Sequence, residues 1–391
     1  MRRIFLHAGE PKTGTSAIQL LLRDNREALR DLGYLVPSAG ASRSGNYEGL
    51  ISAILGQPVP PRFAGCLEAF RAEIGVHPAT TVIVSAECLD YAFRIDEKRE
   101  CILNFFRDLG LATTVVMFVR ADAEILSSAY AEQVKSFLSA CTLGEFVVGH
   151  RRYIHLLKLA GLPGIETIFR PYNMELRHAG AAREFLRVIG VPDPALGCLG
   201  AEPRVNQSLG PIAVAAALEI RKRIEATGRQ PTDQQRQALK AELLRLIAQE
   251  EPEPPFYGVD ANLFQVIEDR AAKNREQFAR IAWGKSWHEV FASDRAEPKQ
   301  CNAFDQTTAP PEARKRYEKI TAALWSAAQR VMNDPSLSQP AAWERSHRRA
   351  QRSRLAAKLS QWLVHAGIGL AAAWSGLADA LVDLAHSTID L

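Results

Sequence analysis

Short apolar runs alternate with longer helical patterns along the first 190 residues. Strand-like runs occur at 3–7, 81–84, 113–119 and 166–169. Apolar residues at helical spacing occur over 15–32, 97–109, 123–137, 143–159 and 180–189. Strands that alternate with helices are typical of a parallel sheet with right-handed crossovers. The run at 113–119 is continuously apolar, as a strand covered on both faces should be. The pattern therefore predicts an α/β fold with a parallel sheet flanked by helices.

The second half of the chain shows helical patterns and no predicted strand. These patterns cover 209–250, 261–282, 311–333 and 341–385, and proline-rich breaks separate them. We predict an α/β domain over residues 1–295, with a sheet core at 1–190 and a helical elaboration at 209–295. A helical C-terminal extension is predicted over 296–391.

Composition and charge exclude several classes of protein. The 391 residues are 47% hydrophobic and 24% charged, which excludes a disordered or collagen-like chain. A formal net charge of +4 does not call for a nucleic-acid partner. The six cysteines form neither a CxxC pair nor a Cys/His cluster, so neither a disulfide framework nor a zinc site is predicted. The apolar run at 4–6 is shorter than the ~7–15 residues of an export signal core. We therefore expect a reducing, cytoplasmic location.

A loop between the first strand and the first helix has the chemistry of an anion site. Residues 4–16 read IFLHAGEPKTGTS. Gly9 and Gly14 allow a tight turn and a close backbone approach to a ligand. Lys12 adds a positive charge, and the helix that follows presents free N–H groups and the positive end of its dipole. Hydroxyl groups come from Thr13, Thr15 and Ser16. The predicted fold class is thus a P-loop-type parallel sheet flanked by helices, with a helical C-terminal extension.

The loop differs from that of nucleotide triphosphatases, G-x-x-x-x-G-K-[ST]. Gly9 and Gly14 match the two glycines, but Thr15 stands where that motif has lysine. Lys12 lies two residues before Gly14, inside the loop. The spacing therefore disfavours Mg²⁺–ATP chemistry and leaves an anion-binding loop.

A second candidate phosphate site follows the strand at 113–119. Arg120 stands at the carboxyl end of this strand, and Ser128 follows eight residues later on a predicted helix. An arginine fork matches a phosphate group bidentately, and a serine can donate one further hydrogen bond. The alternative for Arg120 is an ion pair with Asp122 or Glu124. Spacing favours Ser128 over the neighbouring Ser127.

Together the two motifs resemble those of sulfotransferases that use 3′-phosphoadenosine 5′-phosphosulfate (PAPS). Residues 11–16, PKTGTS, are similar to the family's 5′-phosphosulfate loop, and the run HAGEPKTGTSAIQ is similar to the version in bacterial carbohydrate sulfotransferase-like proteins. The arginine and serine after the third strand resemble its 3′-phosphate signature. The resemblance covers residues 1–210 well and the next eighty weakly. The late glycine- and lysine-containing loop of the cytosolic members has no counterpart in the sequence.

The resemblance implies a function and a set of site residues. The chain would transfer the sulfuryl group of PAPS to an acceptor hydroxyl on a carbohydrate or glycoconjugate, without a metal. The 3′-phosphate would be bound by Arg120 and Ser128. The 5′-phosphosulfate would be bound by Pro11, Lys12, Thr13, Gly14, Thr15 and Ser16.

The acceptor hydroxyl needs a proton acceptor, and Glu87 lies at a suitable place. It follows the strand at 81–84, and the resembled family uses Glu or His as its base. A helix cap or an arginine partner is the alternative for Glu87. His7, at the end of the first strand, is the rival base and a candidate substrate-binding residue.

Three further polar positions have weaker functional interpretations. Lys135 lies seven residues after Ser128 on the same predicted helix face, where it could contact the nucleotide, an anionic acceptor or solvent. Arg170 could contact an anionic substrate, although a structural ion pair is favoured. Ser208, in the sequence Asn-Gln-Ser, is interpreted as the N-cap of the next helix.

The C-terminal tail combines a basic segment with an amphipathic helix. Residues 345–358 contain six Lys or Arg and no acidic residue, and 359–378 contain no charged residue. This pattern suits peripheral contact with an anionic membrane surface, at its cytoplasmic face. The alternative is that this helix packs on the protein itself or on a second subunit, so an oligomer is also consistent with the sequence.

Two other function classes also stay open. A P-loop kinase or nucleotide hydrolase would bind Mg²⁺–ATP in the same loop. A non-catalytic nucleotide-binding protein would keep the pocket without turnover.

Overall fold

Five parallel strands form one sheet in the order β2-β3-β1-β4-β5. A computed structural model of the chain describes residues 2–10, 12–149, 153–200, 208–297 and 299–338. The strands are β1 (Arg3–Ala8), β2 (Tyr34–Leu35), β3 (Thr81–Ala86), β4 (Ala112–Val119) and β5 (Glu166–Pro171). β1 is the central strand, because it pairs with β3 on one side and with β4 on the other.

Helices connect the strands and then continue alone. The helices up to residue 200 are α1 (Thr15–Asp24), α2 (Arg26–Asp31), α3 (Glu48–Ile54), α4 (Cys66–Val76), α5 (Cys88–Phe93), α6 (Asp96–Asp108), α7 (Asp122–Lys135), α8 (Leu143–Gly149), α9 (Tyr153–Ala160), α10 (Met174–Ala179), α11 (Ala181–Val188) and α12 (Asp193–Cys198). The later helices are α13 (Pro211–Ala226), α14 (Asp233–Ile247), α15 (Ala261–Trp283), α16 (Trp287–Val290), α17 (Ala292–Ala296), α18 (Pro311–Asn333) and α19 (Pro335–Ser338). A 3₁₀ turn spans Pro61–Phe63.

The sheet is covered on both faces, as the apolar run in β4 predicts. Val115 and Met117 of β4 pack into a core with helices that include α4, α6, α9 and α15. Val116 and Phe118 point to the opposite face, where α1 and α11 pack. Successive residues of a strand face opposite sides of a sheet, so a strand buried on both sides needs an unbroken apolar run. The predicted α/β class with an all-parallel sheet is confirmed.

The elements differ from the predictions at several places; for example, the single helical pattern at 209–250 forms two helices, α13 and α14. β2 is two residues long, too short to leave a strand pattern in the sequence. The helical pattern at 15–32 forms two helices, because the chain breaks at Asn25, whose side-chain amide donates to the carbonyl oxygen of Leu21 at 2.8 Å. The pattern at 143–159 corresponds to α8 and α9, and residues 150–152 between them lie outside the described residues.

A second helical layer packs on α7. Tyr130 and Val134 of α7 share a buried cluster with Ala217 of α13, Leu243 of α14 and Leu324 of α18. α7 therefore belongs both to the sheet domain and to the later helices. α18, which the sequence assigns to the C-terminal extension, packs in the same core as α13 and α14.

The predicted basic amphipathic tail belongs to the last part of the chain. Residues 339–391, with the basic amphipathic tail at 345–385, lie outside the described residues. Among the helices that are described, none combines the length and the apolar character needed to cross a membrane.

Candidate functional site

The carboxyl ends of β1 and β4 border a cavity of about 370 Å³. The chain leaves β1 toward β2 at one edge of the sheet and leaves β4 toward β5 at the other. Open α/β sheets bind ligands at such a switch point, outside the carboxyl ends of the strands. The cavity brings together four residues that the sequence singles out, namely Lys12, Arg120, Ser128 and Lys135. Its other lining residues are Glu124, Ala131, Glu132, Ser208, Leu209, Pro255, Phe256, Tyr257, Lys299, Gln300 and Asn302.

The loop after β1 turns tightly enough to place Lys12 at this cavity. Lys12 and Gly14 both adopt left-handed backbone conformations, with φ of 68° and 84°. The Thr13 hydroxyl donates to the carbonyl oxygen of Glu10 at 2.6 Å and closes the turn. A left-handed lysine costs of order 1 kcal/mol, and such strain concentrates at functional sites.

The other loop residues shape the turn in this structure. Thr13 and Thr15 are buried, at 0% and 2% exposure. A Cβ atom at Gly9 would lie 2.5 Å from the Thr15 hydroxyl oxygen, so this strand–helix junction requires glycine. Ser16 is half-buried. Among the described loop residues, Lys12 alone lines the cavity, and Pro11 lies outside the described residues.

One face of α7 forms a wall of the cavity. Glu124, Ser128 and Glu132 are spaced four residues apart and all line it. Residues at this spacing lie on one side of a helix. Along the helix axis, eight residues separate the two glutamates by about 12 Å.

Three lysines converge on Glu132. Lys12 Nζ lies 2.6 Å and Lys135 Nζ 2.5 Å from Oε2, and Lys240 Nζ of α14 lies 3.0 Å from Oε1. Burial opposes ionisation of Glu132, but Lys12 and Lys135 outweigh it and lower its pKa to about 2. Burial and the neighbouring lysines lower the pKa of Lys135, and Glu132 opposes this shift. We call this group the Glu132 cluster.

A second group of three cations surrounds Glu124. Arg120 and Arg177 lie 2.8 Å and 2.6 Å from its Oε2, and Lys299 lies 3.0 Å from Oε1. Burial of Glu124 is again outweighed by its cations, so its pKa is lowered. Arg177 also pairs with Asp294. Arg120 therefore makes one of the two ion pairs that the sequence offers as an alternative, and it lines the cavity as well.

Two neighbouring serines on α7 have different surroundings. Ser127 is buried, and its hydroxyl accepts a hydrogen bond from the Gly258 amide at 3.0 Å. Ser128 is half-buried and lines the cavity. The structure thus separates a serine that holds the loop at 252–259 from one that can contact a ligand.

Another wall of the cavity comes from two loops in the second half of the chain. Asn302 joins them, because its side chain accepts from the Tyr257 amide at 2.8 Å and donates to the carbonyl oxygen of Pro255 at 3.0 Å. Tyr257, Lys299 and Asn302 all line the cavity. The helical elaboration therefore completes the site.

Glu87 lies at the carboxyl end of β3, beside the Glu132 cluster. It occupies the N-cap position of α5, yet within the described residues its side chain makes no capping hydrogen bond. Burial raises the pKa of Glu87; Lys12 opposes this shift, and Glu132 and Glu48 add to it. The next residue, Cys88, lines a second cavity of about 690 Å³. Glu87 itself is not among the lining residues of either cavity, and its raised pKa favours the protonated carboxyl group more than in an exposed glutamate.

His7 and Arg170 are not brought to the cavity. His7 is fully buried, its Nδ1 lies 2.7 Å from the Ser85 hydroxyl, and its ring packs near Phe118 and Phe185. Burial lowers its pKa to about 3, so His7 is neutral at physiological pH. Arg170 is exposed and pairs with Glu184, which is the structural role favoured from the sequence.

One capping prediction is wrong, and three cationic residues were not predicted. Gly210, rather than Ser208, is the N-cap of α13, and Ser208 instead lines the cavity. Lys240, Arg177 and Lys299 belong to no motif, and no sequence pattern signals their approach to α7. Among the described residues, no group of three His, Cys, Asp or Glu side chains is arranged to hold a metal ion.

No protein-family model, curated protein or solved structure matches this chain.

Proposed function

We propose that this protein is a PAPS-dependent sulfotransferase built on a P-loop-type sheet. The observation that carries the proposal is that Lys12 and Arg120, from loops after adjacent strands, line one cavity. A nucleotide with phosphate groups on its 5′ and 3′ oxygens needs two cationic sites within one cavity. In this assignment the 5′-phosphosulfate lies at Lys12 and the 3′-phosphate at Arg120 and Ser128.

The charges around the cavity support an anionic ligand. Four cationic and two anionic side chains line it, and Lys240 and Arg177 contact the same two glutamates from outside the lining. A half-buried excess of positive charge is costly until an anion compensates it. Lys299 supplies a further cation at the 3′ end, from a loop late in the chain.

The chemistry requires in-line attack on sulfur by an acceptor hydroxyl. A new bond forms between the hydroxyl oxygen and sulfur, while the bond between sulfur and the 5′-phosphate oxygen breaks. Lys12 stabilises the charge that develops on that phosphate oxygen. The hydroxyl proton passes to Glu87, whose raised pKa makes it a better base than an exposed carboxylate. Adenosine 3′,5′-bisphosphate leaves, and these steps need no metal.

The second cavity is the proposed route of the acceptor. Its lining carries hydroxyl, amide and aromatic groups, which suit the hydroxyls and ring faces of a carbohydrate, together with two acidic and two basic side chains, Glu48, Asp233, Arg62 and Lys98. Asp233 lines this cavity, and Lys240, seven residues later on α14, contacts Glu132. Seven helical residues span about 10 Å, so the acceptor cavity and the Glu132 cluster are close neighbours.

Calorimetric titration tests the proposal. We expect adenosine 3′,5′-bisphosphate to bind with submillimolar affinity and Mg²⁺–ATP to bind more weakly. Preference for Mg²⁺–ATP would instead support a kinase or nucleotide hydrolase. Binding of the bisphosphate, with no release of it from PAPS in the presence of any hydroxyl acceptor, would support a non-catalytic protein.

A further inference from the structure

The Glu132 cluster holds more positive charge than its carboxylate can balance. Lys12, Lys135 and Lys240 each place a terminal nitrogen within 3.0 Å of a Glu132 oxygen. In the described part of the chain, the Lys240 ammonium also donates to the Ser136 hydroxyl at 3.3 Å. Three ammonium groups and one carboxylate leave a formal charge of +2.

The cluster is partly sheltered from solvent. The side chains of Lys135, Lys12 and Lys240 are 7%, 18% and 26% exposed, and that of Glu132 is 32% exposed. Like charges repel strongly where water is scarce. The fold therefore brings three lysines together at a place where their mutual repulsion is poorly screened.

The lysines come from three elements that meet at this point. Lys12 lies in the loop after β1, Lys135 in the last turn of α7 and Lys240 in the middle of α14. The backbone at Lys135 and Lys240 is fixed by packing that does not involve Glu132, since α7 and α14 contribute to one apolar core, and the Lys12 loop is closed by the hydrogen bond from Thr13 to Glu10. Loss of the Glu132 charge would leave the three nitrogens near one another.

We propose that Lys12, Lys135 and Lys240 form one subsite for a tetrahedral, doubly charged oxyanion, and that the Glu132 carboxylate fills this subsite in the unliganded protein. A phosphate or sulfate group offers three terminal oxygens, one for each ammonium, whereas the carboxylate offers two. Binding then requires that the oxyanion displace the carboxylate, so Glu132 is a built-in competitor. The subsite shares Lys12 with the proposed sulfotransferase function and adds Lys240, which no motif identifies.

The competition predicts that a substitution inside the binding site increases the affinity for an oxyanion. Glu132→Gln keeps the size of the side chain and removes the charge that repels an oxyanion. We expect inorganic pyrophosphate, measured by calorimetry on the full chain, to bind about tenfold or more tightly to Glu132→Gln than to the wild type. Glu242→Gln on α14 is the matched control, because Glu242 pairs with Arg245 on the surface, and it should leave the affinity unchanged.

A second variant keeps the test decisive if Glu132→Gln does not fold. Lys240→Gln should weaken pyrophosphate binding several-fold, whereas Lys222→Gln on the exposed face of α13 should not. Unchanged or weaker binding to a folded Glu132→Gln protein would overturn the proposal and make Glu132 a positioning residue for the lysines. No effect of Lys240→Gln would also overturn it.

A parallel titration separates this subsite from the proposed function. The affinity for adenosine 3′,5′-bisphosphate should rise in Glu132→Gln, as the affinity for pyrophosphate does. If pyrophosphate alone responds, the subsite stands and the nucleotide assignment fails. If the bisphosphate binds to the wild type and neither ligand responds, the nucleotide assignment stands and the competition fails. If neither ligand binds to any variant, both fail.

Discussion

The Arg120 guanidinium donates to the main-chain oxygen of Lys12 across 3.1 Å. This hydrogen bond joins the loop after β1 to the start of α7, the two places where the sequence predicts phosphate contacts. Lys12 and Arg120 therefore face one ligand volume rather than two distant sites. The proposed nucleotide, with phosphates on its 5′ and 3′ oxygens, would contact both residues.

Lys12→Ala should weaken binding without unfolding the protein. Loss of a charge-assisted contact to phosphate is expected to reduce the affinity for adenosine 3′,5′-bisphosphate by about tenfold or more. The Lys12–Glu132 pair is partly exposed, and Glu132 keeps two other lysines, so we expect little change in the free energy of unfolding. Calorimetry and urea denaturation measure the two effects.

Lys158→Ala is the control for that experiment. Lys158 is 53% exposed and pairs with Asp96, away from the cavity. Equal loss of affinity in both variants would mean that general charge, rather than the loop, attracts the ligand.

The serine pair on α7 should separate binding from stability. Ser127→Ala removes the acceptor of the Gly258 amide and should lower the free energy of unfolding by about 1–2 kcal/mol. Ser128→Ala removes a hydroxyl at the cavity. It should weaken binding of the bisphosphate and leave the free energy of unfolding unchanged. Thermal denaturation and calorimetry of the two variants test this, and the reverse pattern would exchange the roles.

Glu87 should control the rate and its pH dependence. The base must be deprotonated, so turnover should rise with pH through the pKa of Glu87, which burial raises above the usual carboxyl value. Glu87→Gln should remove most of the activity and this acidic limb while it preserves bisphosphate binding. Release of the bisphosphate from PAPS, followed across pH, measures both effects, and an unchanged profile would exclude Glu87 as the base.

Gly14 should tolerate replacement by alanine poorly. It has φ of 84°, and an added Cβ atom would lie 2.6 Å from the Cβ atom of Ala181. Gly56→Ala is the matched control, because Gly56 has φ of 62° and open space around it. We expect the control to cost about 1–2 kcal/mol of backbone strain and Gly14→Ala to cost more. Urea denaturation compares them, and equal losses would mean that α11 shifts to accept the methyl group.

The site residues that follow the strands could be predicted from the sequence, because each lies within a few residues of its strand. Lys12 follows β1 and Arg120 follows β4, and the carboxyl ends of adjacent parallel strands meet at one edge whatever the later packing. The burial of His7 could also have been predicted from the sequence. Odd-numbered residues of β1 face the layer of α1 and α11, where Phe5 is buried, so His7 points into that core and away from the cavity.

The second half of the site could not be predicted in this way. Lys240 reaches Glu132 because α14 packs beside α7, and Lys299 reaches Glu124 from a loop that Asn302 ties to residues 255–257. These contacts depend on how helices without a motif pack together, and helical periodicity specifies a buried face but not its neighbour. The strand β2 was not predicted, because two residues are too few to show a pattern of apolar and polar positions.

The most direct test of the nucleotide assignment compares two ligands on two proteins. Adenosine 3′,5′-bisphosphate and adenosine 5′-phosphate differ by the group that Arg120 is proposed to bind. Titrations of the wild type and of Arg120→Ala should show a clear preference for the bisphosphate in the former and loss of most of that preference in the latter. Equal loss of affinity for both ligands would contradict the assignment of Arg120 to the 3′-phosphate, and with it the claim that one nucleotide joins the two loops.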